Sequence, residues 1–314
     1  MILEMPHRDS VFGVASVWRC GQCGLRRLRP RPVGEQLGRY YDEAAGYNAF
    51  VGRKRSAKAQ RWWDFLRDCR SQPAGVHGWA RHFRFLGGLI ADWAFDINVP
   101  LNGKRGLRVL EVGSGYGDIL IYLKSRGCEV LGIDLSEAAA KKGAEAGVEI
   151  RVGNLADMNL PAASFDVAIL CHSLEHVPDP NVELAELARV LKPGGRIHIA
   201  VPNGNAVRLA LDGREWAHLS FPFHFWYFDP RTIQKLLGRH GFVPVEGPTT
   251  TTRHHALMSW RHHIRRDGFW PATKEFMAYL KASRRRPDGG DVLRVVAEFQ
   301  GKEAGERLLA RLES

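Results

Sequence analysis

The stretch "RVLEVGSGYGDIL", residues 108–120, sets three glycines at alternate positions directly behind a strand-like apolar run. Gly113, Gly115 and Gly117 would be costly inside a strand or helix, because glycine loses the most backbone freedom on ordering and packs no side chain. They mark a strand-to-helix turn, with "YGDILIYLKSRG" as the helix that follows and Gly127 as its end. Such a turn brings backbone close to a ligand at the carboxyl end of a parallel strand.

Downstream, the same unit repeats. "CEVLGID" reads as a second strand and "SEAAAKKGAEAG" as a helix with Ser136 as its N-cap. "VEIRVGN" is a third strand, and "SFDVAILCHS", apolar on both faces, a fourth. "PNVELAELARVLKPGG" predicts a helix stopped by Pro193 and Gly194, and "RIHIAVP" a fifth strand. "DPRTIQKLLGRHGF" predicts a helix opened by Asp229 and Pro230, followed by a sixth strand in "VPVEGPTTTT". Strands alternating with helices predict an α/β fold, a parallel sheet covered by helices on both faces. This core spans residues 105–252. Residues 35–104 predict a helical N-terminal cover, with Trp62, Trp63, Phe65 and Leu66 on apolar faces. Residues 253–314 form a basic C-terminal extension, in which "DVLRVVAEF…ERLLARL" is expected to be helical.

The whole chain, 314 residues with 45% apolar and 25% charged, is that of an ordinary globular protein. Its apolar runs are too short to span a membrane, and its first residues lack the apolar segment of a secretory signal, so the cytoplasm is the expected location. Five cysteines, an odd number, predict reduced thiols and no disulfide framework. The net charge of +11 is uneven: +9 over residues 1–106, −4 over 107–201 and +6 over 202–314. Basic flanks of this kind suit nucleic acid, anionic lipid or a phosphorylated substrate, or are simply a solvated surface.

Two ligand classes use a glycine turn of this type. A dinucleotide site reads G-x-G-x-x-G, but here Asp118 stands at the third glycine position. The chain reads E-x-G-x-G-x-G, with Glu111 at the strand end. A carboxylate beside the turn is awkward for a pyrophosphate and useful for a sulfonium ligand bearing an ammonium group. Asp134, ending the second strand, can accept hydrogen bonds from ribose hydroxyls in either class.

The order of motifs separates the two. "GNLADMNLPAASFDVAILCHSLEHVPDP…ELARVLKPGGRIHIAVPN" resembles the class I S-adenosylmethionine-dependent methyltransferases over about residues 105–245. The resemblance implies a Rossmann-like doubly wound, mostly parallel seven-stranded sheet and S-adenosyl-L-methionine as cofactor. It implies that Gly113, Ser114, Gly115 and Gly117 line the methionine and ribose portion. Glu111 would place the amino group, Asp134 take the ribose and Leu135 pack on the adenine. Asn154 and Leu155 match the adenine-edge positions, although many relatives carry Asp where Asn154 stands. His172 matches a position facing the methionine moiety, and His176 of "LEHV" lies near the site. The segment "REWAHLSFPFHFWYFDP" matches the substrate mouth, where His218, His224, Trp226 and Tyr227 combine aromatic walls with titratable groups. For a hydroxyl acceptor the enzyme supplies alignment and a base; His224 is the first candidate and His176 the second, with an acid limb near an imidazole pKa expected in the pH–rate profile.

"WRCGQCGLRRLRPRP" resembles the second half of a zinc ribbon, so residues 1–34 read as a remnant of one. Only Cys20 and Cys23 are present of the four ligands such a site needs, and no metal is expected. The acceptor implied is a small or carrier-linked molecule, with a sugar-linked oxygen or carbon as the finer expectation. RNA methylation, drawing on the basic flanks, and a non-catalytic cofactor-binding partner are the alternatives.

Overall fold

A computed structural model describes residues 2–9, 13–31, 57–72, 76, 82–213, 216, 218–251, 260 and 264–313. The expectations for residues 35–56 and 252–259 lie outside the described residues. The chain divides into two units, one of Gly34–Cys171 with Val182–His198, the other of Met1–Val33, His172–Asn181 and Ile199–Ser314.

The first unit carries the glycine turn. β4 (Arg108–Val112), β5 (Glu129–Asp134), β6 (Glu149–Val152) and β7 (Phe165–Cys171) lie in the order β7-β4-β5-β6. The register is parallel throughout, with Val109 opposite both Val130 and Val167, and Gly132 opposite Ile150. Val167, Ala168, Ile169 and Leu170 are all buried, so β7 is covered on both faces, as a strand between two helical layers must be. Helices α3 (Asp118–Ser125) and α4 (Glu137–Glu145) return the chain between strands, and Ser136 caps α4 by accepting from the Ala139 N–H as predicted. α5 (Pro180–Val190) stops earlier than predicted, because "LKPGG" already belongs to β8 (Leu191–Pro202). That strand is common to both units.

Two helices precede this sheet, α1 (Ala57–Ser71) and α2 (Arg84–Ala94). They close on Leu66, Ala91 and Phe95, with Trp63 and Phe65 against them. Trp62, expected on the same apolar face, is 55% exposed.

In the second unit β8 neighbours β12 (Val292–Phe299), which neighbours β10 (Phe242–Pro244). β11 (Thr249–Thr251) also pairs with β12, and both pairings are antiparallel. The mostly parallel sheet with flanking helices is therefore as predicted, with two corrections. The stretch read as one sixth strand is two short strands. Residues 292–299, expected to be helical, are a strand: Leu293, Val295 and Ala297 are buried and alternate with half-buried Arg294 and Val296, and the valines favour strand. Only α9 (Lys302–Glu313) of that stretch is helical. It packs on α7 (Pro230–Arg239), opened by an Asp229–Thr232 capping box. A Cβ on Gly305 would lie 2.0 Å from the Gly238 carbonyl oxygen, so glycine there lets the two helices touch.

The N-terminal strands β1 (Ile2–Asp9), β2 (Gly13–Arg19) and β3 (Arg26–Arg29) form a second sheet with β9 (Trp226–Tyr227), in the order β1-β2-β3-β9. Helices α6 (Val207–Asp212) and α8 (Phe269–Arg285) meet through Val207 and Tyr279.

Candidate functional site

The glycine turn shows why side chains are excluded from it. Gly113, Gly115 and Gly117 have φ of +71°, +51° and +78°, the left-handed region that L side chains avoid. Asp134 fixes the turn from the neighbouring strand. One carboxylate oxygen accepts from the Gly115 N–H at 2.8 Å, the other from the Ser136 N–H at 2.9 Å. The Gly113 and Ser114 N–H groups both donate to the Ile133 carbonyl. Asp134 is thus a structural clamp as well as the expected ribose acceptor.

Beside the turn, Glu111 is 3% exposed, and its Oε2 accepts no hydrogen bond. Burial pushes its carboxyl up to about 8 against the pull of the Arg67 guanidinium, and Asp118 and Asp134 push the same way. The Ser114 hydroxyl is also buried without a partner. A buried acid and a buried hydroxyl left unsatisfied beside a bare backbone turn are costly unless a polar ligand completes them. Leu135 is 45% exposed, whereas Leu155 is buried. Asn154 extends its side chain to Asp157 at 3.0 Å.

Arg67 was not anticipated from sequence. It lies on α1, stacks over Phe95 at 3.9 Å, and donates to the Ile97 carbonyl at 3.3 Å. Its charge is the counterweight to Glu111. Only the general helical pattern of this region was readable, because nothing local to Arg67 names its partner.

The second unit gathers histidines. His172 follows β7 directly and has φ of +54°, a strained value for a residue with a side chain. Its Nδ1 lies 3.3 Å from Glu175 Oε1. Glu175 is 0% exposed, and despite that approach neither of its oxygens has a hydrogen bond of good geometry. His176 and His224 stand edge to face, 4.7 Å between ring centres. The Nδ1 of His176 is 2.9 Å from the Phe223 carbonyl oxygen, and that of His224 is 2.7 Å from the His218 carbonyl oxygen. His218 stacks on His172 at 6.0 Å and meets Trp216 edge-on. Burial alone would push Glu175 up; the imidazoles of His172, His176 and His224 outweigh it and hold the carboxylate below its usual range. Burial, with His176 adding, pushes His224 down to about 3, so its imidazole is neutral.

Against known proteins, a family profile described as a methyltransferase domain matches residues 79–246, more than half of the chain. The chain belongs to the S-adenosylmethionine-dependent methyltransferases. It is 35% identical over 161 residues to the ubiquinone biosynthesis O-methyltransferase of Alkalilimnicola ehrlichii, covering 48% of this chain and 59% of that protein. It is 34% identical over 172 residues to the protein of the same name from Pseudomonas putida, covering 52% and 68%. Among solved structures, a chain of the Haloferax volcanii complex containing the Trm112 methyltransferase activator superposes with a TM-score of 0.50 at 19% identity, over 79% of this chain and 100% of that one. At that identity the likeness concerns the fold.

The residues around the turn fit S-adenosylmethionine. The orphaned Glu111 oxygen suits an ammonium group, and the bare turn leaves room for a ligand. The sequence placed Glu111, Gly113, Ser114, Gly115, Gly117 and Asp134 together, and the structure does so in one unit. His172, His176, His218 and His224 come together in the other. Glu175, at the centre of that cluster, was not singled out from sequence; its signal is that two of its cluster neighbours, His172 and His176, lie within three residues of it. Cys20 and Cys23 sit on the turn joining β2 and β3, where the Cys20 carbonyl accepts from the Gly24 N–H at 3.0 Å. Backbone N–H groups of Cys23 and Gln22 lower the Cys20 thiol. No described helix is long and apolar enough to cross a membrane.

Proposed function

We propose that this methyltransferase acts on a hydroxyl oxygen of a small or carrier-linked molecule. The observation that carries the reading is Glu175, fully buried beside the imidazoles of His172, His176 and His224. S-adenosylmethionine, when bound, supplies a methyl group already activated on a sulfonium. An alcohol oxygen that receives it must lose its proton, and a cluster of imidazoles around a carboxylate is built to deal with that proton. His176 is half-buried and His224 buried, so His176 is the more accessible of the two expected bases. The names of the relatives, O-methyltransferases, support oxygen as the acceptor atom. A sugar hydroxyl and a phenolic hydroxyl are both within this class.

The test is mass spectrometry of methylated products from a panel of phenols, catechols and sugar nucleotides, with carbon and amine acceptors as controls. Methylation confined to carbon or nitrogen would overturn the reading.

A second reading, RNA methylation, draws on α8, whose Lys274, Lys281 and Arg285 are exposed, with Arg286 exposed just past its end. It requires RNA binding that weakens steeply with salt.

A further inference from the structure

We propose that Glu175, His176 and His224 hold a divalent transition-metal ion. Each offers one ligand atom, and these atoms lie within 4.8 Å of one another. Among the described residues this is the one group of three or more metal-ligating side chains so arranged. The inference deepens the oxygen-methylation reading and rests on it only for the ion's purpose, not for its binding.

Two observations point to a cation at this spot. Glu175 is 0% exposed, and neither of its oxygens accepts a hydrogen bond. A buried carboxylate in that condition is expensive, and coordination is one of the few ways to satisfy both oxygens. The nearby Nδ1 of His172 lies 3.3 Å from Oε1.

The tautomers are the second. A carbonyl oxygen can only accept, so the contacts of 2.9 Å from His176 Nδ1 to Phe223 and 2.7 Å from His224 Nδ1 to His218 place the proton on Nδ1 of both rings. In the neutral rings Nε2 then carries the lone pair. Backbone carbonyls orienting metal-bound imidazoles through the other ring nitrogen are the usual outer support of such sites.

The donor set defines the class of ion. Two imidazole nitrogens and one carboxylate suit zinc, iron(II), manganese or cobalt, and not magnesium or calcium, which prefer oxygen ligands. Three protein ligands leave a coordination position for an exchangeable oxygen. An acceptor hydroxyl bound there would have its pKa lowered by the ion, so that its proton would pass to solvent water as the methyl arrives and the ligating imidazoles would not act as bases.

The experiment uses the full chain carrying Cys20→Ser and Cys23→Ser, so that thiols do not contribute. After dialysis against a chelator, the protein is titrated with zinc and, separately, with cobalt(II). One ion per chain is expected, with visible cobalt absorption of a nitrogen–oxygen site. Glu175→Gln and His224→Gln should each weaken zinc binding about 100-fold or more while binding S-adenosylhomocysteine within twofold of parent. Absence of cobalt absorption in the parent, or variants that hold zinc as tightly as the parent, would overturn the site. Full hydroxyl methylation by chelator-treated protein would also overturn it while leaving the oxygen reading intact. Stoichiometric zinc without methylation of any hydroxyl would keep the site and sink that reading.

Discussion

Glu111 and Glu175 are two buried glutamates in the two units of one chain, and they titrate in opposite directions. Both have oxygens without a hydrogen bond of good geometry. Burial pushes Glu111 up to about 8, with Arg67 opposing and the acids Asp118 and Asp134 reinforcing. Glu175 is held down, because three imidazoles outweigh the same burial penalty. The difference teaches what each place lacks. Around Glu111 the protein supplies too little positive charge to offset burial, a deficit that a cationic ligand would relieve. Around Glu175 the neighbours are imidazoles, groups that exchange protons or bind metals.

The contrast can be broken most severely at the turn. Gly115→Val puts a β-branched side chain at φ +51°. It should weaken S-adenosylhomocysteine binding about 100-fold or more, about 2.7 kcal/mol at 25 °C, the upper end of the backbone-strain scale. Calorimetry giving parent affinity with a folded variant would remove the turn from the site.

On the other side, His224→Gln should cut turnover about 100-fold, the scale of lost proton handling or ion binding. Cofactor affinity should stay within twofold. If kcat instead holds and affinity falls, the histidine cluster serves the cofactor and the contrast collapses.

The pH dependence of binding sharpens it further. An ammonium group favours ionised Glu111, so each pH unit below its pKa of about 8 should cost close to tenfold in cofactor affinity, with up to one proton released on binding. Glu111→Gln should bind weakly and without that slope. For folding, a carboxyl raised from 4.5 to about 8 stabilises the ligand-free protein at low pH. That contribution is lost as pH rises through the window, so the ligand-free Tm should fall from pH 5 to 8 and the liganded Tm less so. A flat affinity profile between pH 6 and 8.5 would argue that Glu111 is already ionised.

Asp134→Ala should weaken binding by about 1–3 kcal/mol, the scale of hydrogen bonds to a charged acceptor. The smallest effect belongs to Asp291, a carboxyl in the unit of Glu175 that behaves like Glu111. It is 2% exposed, accepts from Trp216 Nε1 at 3.3 Å, and burial raises it from 3.8 to about 7. Stability from its neutral form is present below pH 4 and lost as pH approaches 7. Asp291→Asn should remove that slope from urea denaturation and leave cofactor affinity untouched.

What could be read from sequence follows chain distance. The turn, Glu111 and Asp134 sit at the ends of consecutive strands, so local pattern and parallel topology bring them together. Glu175 and His224 lie far apart along the chain, and no periodicity announces their meeting; only the aromatic and histidine-rich character of "HLSFPFHFWY" hinted at it. Arg67 escaped for the same reason. The strand at residues 292–299 was misread because "DVLRVV" fits both periods over so short a run, and its valines, which favour a strand, were given too little weight against the helical "ERLLARL".

The two hydrogen bonds from Asp134 to the Gly115 and Ser136 N–H groups have a kinetic side. A turn tied down before any ligand arrives has little ordering entropy left to lose when one binds. Loading of fresh cofactor and escape of the spent nucleoside then need no folding or melting of that turn. Cutting the tie with Asp134→Ala should therefore slow association as well as hasten dissociation, a signature that the loss of one ligand contact alone would not leave.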